Sequence, residues 1–149
     1  MNTATAQNSS ISQNSSVSAN ESRVSFSSVA DLAGRVGLAT IFLLAGINKI
    51  GGYAGTQGYM ESAGVSGSLL PAVIALEVIG ALALIVGFKT RAVALALAGF
   101  SVLSGPLFHF NLADQMQFIL FFKNLAMAGG FLVVAAHGAG ALSIDARRG

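Results

Sequence analysis

Five polar side chains stand within or at the ends of the most apolar stretches of this chain: Lys49, Glu77, His109, Lys123 and Asn124. A carboxylate, two ammonium groups, an imidazole and an amide can fix a helix register, bind a polar ring or pass a proton. An ionisable group in hydrocarbon costs roughly 2.5 to 3.5 kcal/mol, so each needs a physical reason. Glu77 lies about eight residues into one apolar run and Lys123 about eight into another, each roughly 12 Å deep by helical rise. Lys49 and His109 fall at the ends of two further runs. Four runs thus each bring a polar group to the same half of a bilayer. Glu77 is expected to pair with Lys123, Lys49 or both. One reading of such a pair is structural, an ion pair that sets register without chemistry. The other is functional, a pocket for a small polar headgroup such as a quinone ring, or a proton-transfer site. Taken alone, Lys49 reads as a lysine snorkelling to the interface, and so does Arg35 at the opposite end of the first run. His109 reads as an interface histidine.

The runs that position these groups dominate the composition. Of 149 residues, 54% are hydrophobic and 9% charged, against about 25% charged in a soluble domain. The mean hydropathy is +0.72. Residues 1–28 hold ten Ser and four Asn and show no apolar period, which predicts a disordered tail. They have neither the basic start nor the apolar stretch of a signal peptide. Helices are predicted over about 31–50, with Asp31 as N-cap, then 69–88, 91–109 and 115–136. Pro71 falls in the first turn of the second, and Pro106 is expected to kink or end the third. Residues 51–68, with six glycines, read as a polar loop. Each run is about 17 to 21 residues long, which suits a hydrocarbon core about 30 Å thick. A soluble four-helix bundle needs a polar face on every helix, and the third run has no charged residue between Arg91 and His109.

The expected fold is therefore all-α, a four-transmembrane-helix antiparallel bundle with the lipid bilayer as its first partner. Lys89, Arg91, Arg147 and Arg148 lie at one end, whereas the other two loops carry Glu61 and Asp114 and no Lys or Arg. The positive-inside preference then makes both termini cytoplasmic. Small residues such as Gly34, Gly46, Gly80, Gly129 and Gly130 let helix backbones approach closely, either within one bundle or in a homo-oligomer.

Several chemistries are excluded from the sequence. There is no cysteine, which removes disulfides, thiolate metal sites and thiol nucleophiles. The two histidines, His109 and His137, are expected at opposite bilayer faces and cannot share one haem, and no metal-ligand cluster is visible. No P-loop, strand-linked GxGxxG or GxSxG occurs. The eight basic residues are scattered and leave no nucleic-acid footprint. A transporter reading lacks an inverted repeat or a helix broken at mid-membrane. The aromatic cluster Phe108, Phe110, Phe118, Phe121 and Phe122 reads either as one apolar wall of a lipid or quinone site or as packing and lipid contact.

Over about residues 32–146 the sequence resembles the DoxX family of small bacterial membrane proteins. The resemblance is carried by RVGLATIFLLAGINKI with Arg35, Gly46 and Lys49, by the glycine-rich loop with Tyr59 and Gly64, and by ALEVIGALALIVGFKTR with Glu77, Gly80, Gly87 and Arg91. The fourth run adds Lys123, Asn124, Gly129 and Gly130, and then the SID ending. The Ser/Asn-rich tail departs from the family's usual short N-terminus. The resemblance implies a four-helix bundle in the bacterial cytoplasmic (inner) membrane. The family takes its name from a subunit of a thiosulfate:quinone oxidoreductase, so a membrane subunit of a quinone-linked redox or oxidative-stress system is one functional expectation. It would have no covalently bound cofactor, quinone as a diffusible ligand and a soluble redox partner. The other expectation is a non-catalytic scaffold that anchors a soluble enzyme. It rests on the lack of a complete catalytic set in this chain.

Overall fold

The computed structural model describes residues 3–148, with side chains described from residue 26 onward. It is all-helical among those residues. The order is α1 (Thr3–Gly51), α2 (Tyr53–Ser62), α3 (Leu70–Val86), α4 (Thr90–Phe108) and α5 (Gln115–His137), with short 3₁₀ turns at Gly67–Leu69 and Asp145–Arg147. Four stretches are long and apolar enough to cross a membrane: Phe26–Gly51, Gly67–Val86, Thr90–Phe108 and Gln115–His137. They form an antiparallel bundle in which α1 packs chiefly on α3 and α4 on α5, while α3 and α4 join the two pairs.

Two expectations are corrected. The helix over residues 31–50 continues upstream, so Asp31 lies inside α1 and caps nothing. The disordered tail expected over residues 1–28 falls mostly on residues whose side chains lie outside the description. Residues 53–62, expected as loop, form α2 despite Gly55 and Gly58. Tertiary contact outweighs the poor helix propensity of glycine here. Met60 is buried, and the Tyr59 ring stacks on Phe108 at 5.5 Å.

The core is built from small and large residues in alternation. Ala39, Ala81, Ala94 and Ala98 bring backbones close, and Phe42, Leu84, Leu97 and Phe131 fill the space between them. Phe42 and Phe131 meet edge to face at 5.3 Å, a favoured aromatic geometry. Gly46 faces Val78, Gly80 faces Leu97 and Gly130 faces Leu38, whereas Gly34 and Gly129 have no neighbour within 4 Å where a Cβ would stand. Large apolar side chains cover the outside, among them Ile79, Leu103, Ile119 and Val133. An outside this apolar suits lipid rather than water.

The end of the bundle that holds the α3–α4 turn is closed by the C-terminal segment. α3 ends in a Schellman motif: Phe88 N donates to Ala83 O at 2.8 Å and Gly87 N to Leu84 O at 3.2 Å, with Gly87 left-handed at φ 71°. Ile144 N then donates to Val86 O and Asp145 N to Gly87 O. Arg35 completes the end, donating from Nη1 to Leu84 O and Ile85 O and from Nη2 to Leu142 O. Arg35 is therefore buried, 1% exposed, and not the snorkelling residue the sequence suggested. The C-terminal segment covers it.

Asp145 caps the next helix. Its carboxylate accepts from Lys89 N and Thr90 N, both at 2.8 Å, at the start of α4. The backbone hydrogen bond from Thr90, with that from Lys89 behind it, holds the Asp145 carboxyl below the usual carboxylate range. Its folded value lies under its unfolded one, so its contribution to stability is present above an ordinary aspartate pKa of about 3.9. That contribution is lost as pH falls through the folded value. Asp145→Ala is expected to cost about 1 kcal/mol near neutral pH, as loss of a helix cap does. Unfolding followed in detergent against pH should show the wild-type advantage shrinking only below about pH 4. An advantage that does not change with pH would remove the carboxylate from this role.

Candidate functional site

The opposite end of the bundle opens into a cavity of about 370 Å³. Each span lends one end of itself to it. α1 supplies Lys49, from its last turn, and Phe42 and Ala45 beneath it. α3 supplies Glu77 and Val73. α4 supplies Leu103, Leu107 and Phe108, and His109 at its C-terminus. α5 supplies Lys123, Asn124 and Met127. All five polar residues singled out in the sequence thus line one cavity whose other walls are mainly apolar.

Within it Lys49 Nζ donates to Glu77 Oε1 at 2.9 Å. Of the two lysines weighed as partners, Lys49 makes the ion pair, and no ion pair joins Glu77 to Lys123. The pair is asymmetric: the Glu77 side chain is 3% exposed and that of Lys49 26%. Gly46, one turn before Lys49, permits the contact. A Cβ there would stand 2.6 Å from Val78 Cγ2 and 3.2 Å from Glu77 Cβ, so only glycine lets α1 and α3 come this close. Glu77 Oε2 is buried with no hydrogen-bond partner among the described residues. A buried polar atom left unpaired calls for an explanation, and a ligand donor is one.

The other three residues are held differently. Lys123 is exposed and has no ion-pair or hydrogen-bond partner among the described residues. Asn124 is buried, and its Nδ2 donates to Leu120 O at 3.1 Å within α5. His109 Nδ1 lies 2.9 Å from Gln117 Oε1. An amide oxygen only accepts, so this contact puts the imidazole hydrogen on Nδ1 and leaves Nε2 as an acceptor in the neutral ring. Gln117 is held in place by the α5 cap, where its N donates to Asp114 Oδ1.

Residues of α2 also line the cavity: Thr56, Tyr59 and Met60. The Tyr59 hydroxyl donates to Phe108 O at 3.2 Å, tying α2 to the end of α4. The sequence reading missed this wall because glycine spacing hid the helix. Tyr59 and Met60, the large side chains among small polar ones, were its signal. Of the aromatic cluster, Phe108 lines the cavity, whereas Phe110, Phe118, Phe121 and Phe122 contact one another. His109 and His137 end different helices at opposite ends of the bundle, and no metal-ligand cluster occurs among the described residues.

Comparison with known proteins agrees with this architecture. The family model described as DoxX matches residues 30–110. The chain is 50% identical over 117 residues to the inner membrane protein YqjF of Escherichia coli K12, covering 78% of this chain and 90% of that one. It is 34% identical over 123 residues to the inner membrane protein YphA of the same organism, covering 78% and 88%. No solved structure matches. Four apolar helices of spanning length, a shared polar cavity and this degree of likeness lead to one assignment: the chain belongs to the DoxX family, as a multi-pass protein of the bacterial inner membrane.

Proposed function

We propose that this protein is the membrane subunit of a quinone-linked redox system and that the cavity binds the quinone ring. One observation carries the reading: four spans converge their polar groups on a single cavity with mainly apolar walls. Binding sites for small lipophilic ligands combine an apolar lining with a few fixed polar groups in this way. Lys123, and the hydrogens of Lys49 that Glu77 does not use, would donate to ring carbonyls. Glu77 Oε2 and His109 Nε2 would accept from ring hydroxyls. Two electrons would pass between the ring and a soluble redox partner, and two protons would enter or leave through the polar groups of the cavity. The basic end with Lys89, Arg91, Arg147 and Arg148 would face the cytoplasm, which puts the cavity toward the extracytoplasmic side.

The test is binding of a short-chain benzoquinone to the purified full-length protein, compared with Glu77→Gln and Lys123→Met. Each substitution should weaken binding about tenfold or more, the worth of one charge-assisted hydrogen bond. Unchanged affinity in both variants would take these residues out of the role. No binding by the wild type, together with a soluble enzyme that co-purifies stably, would favour the scaffold instead.

A further inference from the structure

We infer a second binding site, for the phosphate of an anionic phospholipid, at the end of the bundle opposite the quinone cavity. A recess of about 550 Å³ lies there between the start of α4 and the segment that follows α5. Lys89, Arg91 and His137 all line it.

The charge balance sets the chemistry of the occupant. This end holds Arg35, Lys89, Arg91, Arg147 and Arg148 against Asp31 and Asp145. The Asp145 carboxylate, the anion that lines the recess, is committed to the backbone of Lys89 and Thr90. Arg35 is committed to three carbonyls. The guanidinium of Arg91 has no hydrogen bond or ion pair among the described residues, although it lies close enough to Gly138 that a Cβ there would meet its Nε at 3.5 Å. The Lys89 ammonium has only the Phe88 ring, at 5.8 Å. His137 Nδ1 donates to Val133 O at 2.9 Å, so Nε2 is an acceptor in the neutral ring and offers an anion no donor. Two cations therefore share a recess whose one lining carboxylate among the described residues, Asp145, is already engaged.

Phosphate answers that set. A guanidinium fork takes two phosphate oxygens, and an ammonium takes a third as a point charge. Lys89 is held for it, since its backbone is left-handed at φ 45° and Asp145 fixes that turn. The position favours a lipid as the source over a free ion. The recess lies at the ends of two spans, where headgroups lie, and Val86, Val133 and Leu142 are exposed nearby to meet acyl chains. Basic residues at a membrane end attract anionic lipid at close range.

The experiment places the full-length protein in phosphatidylcholine nanodiscs, with and without phosphatidylglycerol. It reads lipid retained by native mass spectrometry and the thermal unfolding midpoint. Wild type should retain phosphatidylglycerol selectively and unfold at higher temperature with it. Lys89→Asn with Arg91→Gln should reduce that selectivity about thirtyfold, as loss of two basic contacts of about 1 kcal/mol each at a membrane surface does. Asparagine tolerates the left-handed backbone, so this variant keeps the turn. Arg91→Lys, which retains charge without the fork, should fall between. Equal retention of both lipids by wild type, or selectivity that survives the double substitution, overturns the site. Millimolar inorganic phosphate in pure phosphatidylcholine discs should leave the midpoint unchanged. A shift equal to that given by phosphatidylglycerol would overturn the lipid as its occupant.

Discussion

Lys49→Met is expected to destabilise the bundle by about 3 kcal/mol, because removing one partner of a buried ion pair strands the other. Glu77 is the partner that suffers. It is 3% exposed, and its Oε2 already lacks a hydrogen bond. Losing Lys49 would leave both carboxylate oxygens unpaired among apolar walls. Lys49 itself is a quarter exposed at the cavity mouth, which holds the effect near the lower end of the range for buried pairs. Glu77→Leu, with Lys49 intact, should cost less, since that ammonium can reach more polar surroundings by snorkelling. The double substitution Lys49→Met with Glu77→Leu should cost clearly less than the sum of the two, because apolar groups of similar volume replace a buried pair well. Unfolding in mixed micelles against denaturing detergent measures all three. Additive losses would mean that the two side chains do not depend on each other. Lys123→Met makes a useful contrast. It removes a charge with no ion-pair partner in the same cavity, so it should leave stability within about 0.5 kcal/mol while affecting ligand binding.

The contrast between the two lysines shows what the sequence could and could not carry. Helical rise fixes depth along a span, so placing Glu77, Lys49, Lys123, His109 and Asn124 in one half of the bundle needed only run boundaries. Depth does not say which neighbouring helix faces a residue. Glu77 meets Lys49 because α1 packs on α3 through Gly46, and that choice depends on three-dimensional packing. The α3–α4 turn was legible from Lys89 and Arg91, although the expected helix ran to residue 88, past its end at Val86. α2 was not, because its stability comes from Tyr59 and Met60 seated against α4 and the cavity rather than from propensity. The segment after His137 reads in the sequence only as a closing tail. Its glycines at Gly138 and Gly140, both with positive φ, mark a folded path, but nothing local says that the path runs back over Arg35.

That path makes Arg35→Met the substitution with the largest expected loss, roughly 3 to 5 kcal/mol, since charge-assisted hydrogen bonds are worth about 1.5 to 3 kcal/mol each and do not add fully. The last carbonyls of a helix have no partner inside it and carry the negative end of its dipole. In α3 they are met from outside: Leu84 O and Ile85 O by Arg35, Val86 O by Ile144 N. Arg35 also holds Leu142 O, so one guanidinium fastens α1, α3 and the C-terminal segment together. Methionine fills similar volume but offers no donor, so Ile85 O and Leu142 O would lose their donor and Leu84 O would keep only Gly87 N. Arg35→Lys should recover only part of the loss, because a single ammonium cannot span carbonyls on two segments as the planar fork does. Gly87→Ala tests the same junction from the other side. Its φ of 71° costs an L-residue about 1 to 2 kcal/mol, and a Cβ would press on both Ser143 and Arg35. A chain ending at Gly138 separates the contributions: if Arg35 acts by fastening the strap, Arg35→Met should cost much less in the shortened chain than in the full one. An equal cost in both would mean that Arg35 stabilises α3 alone.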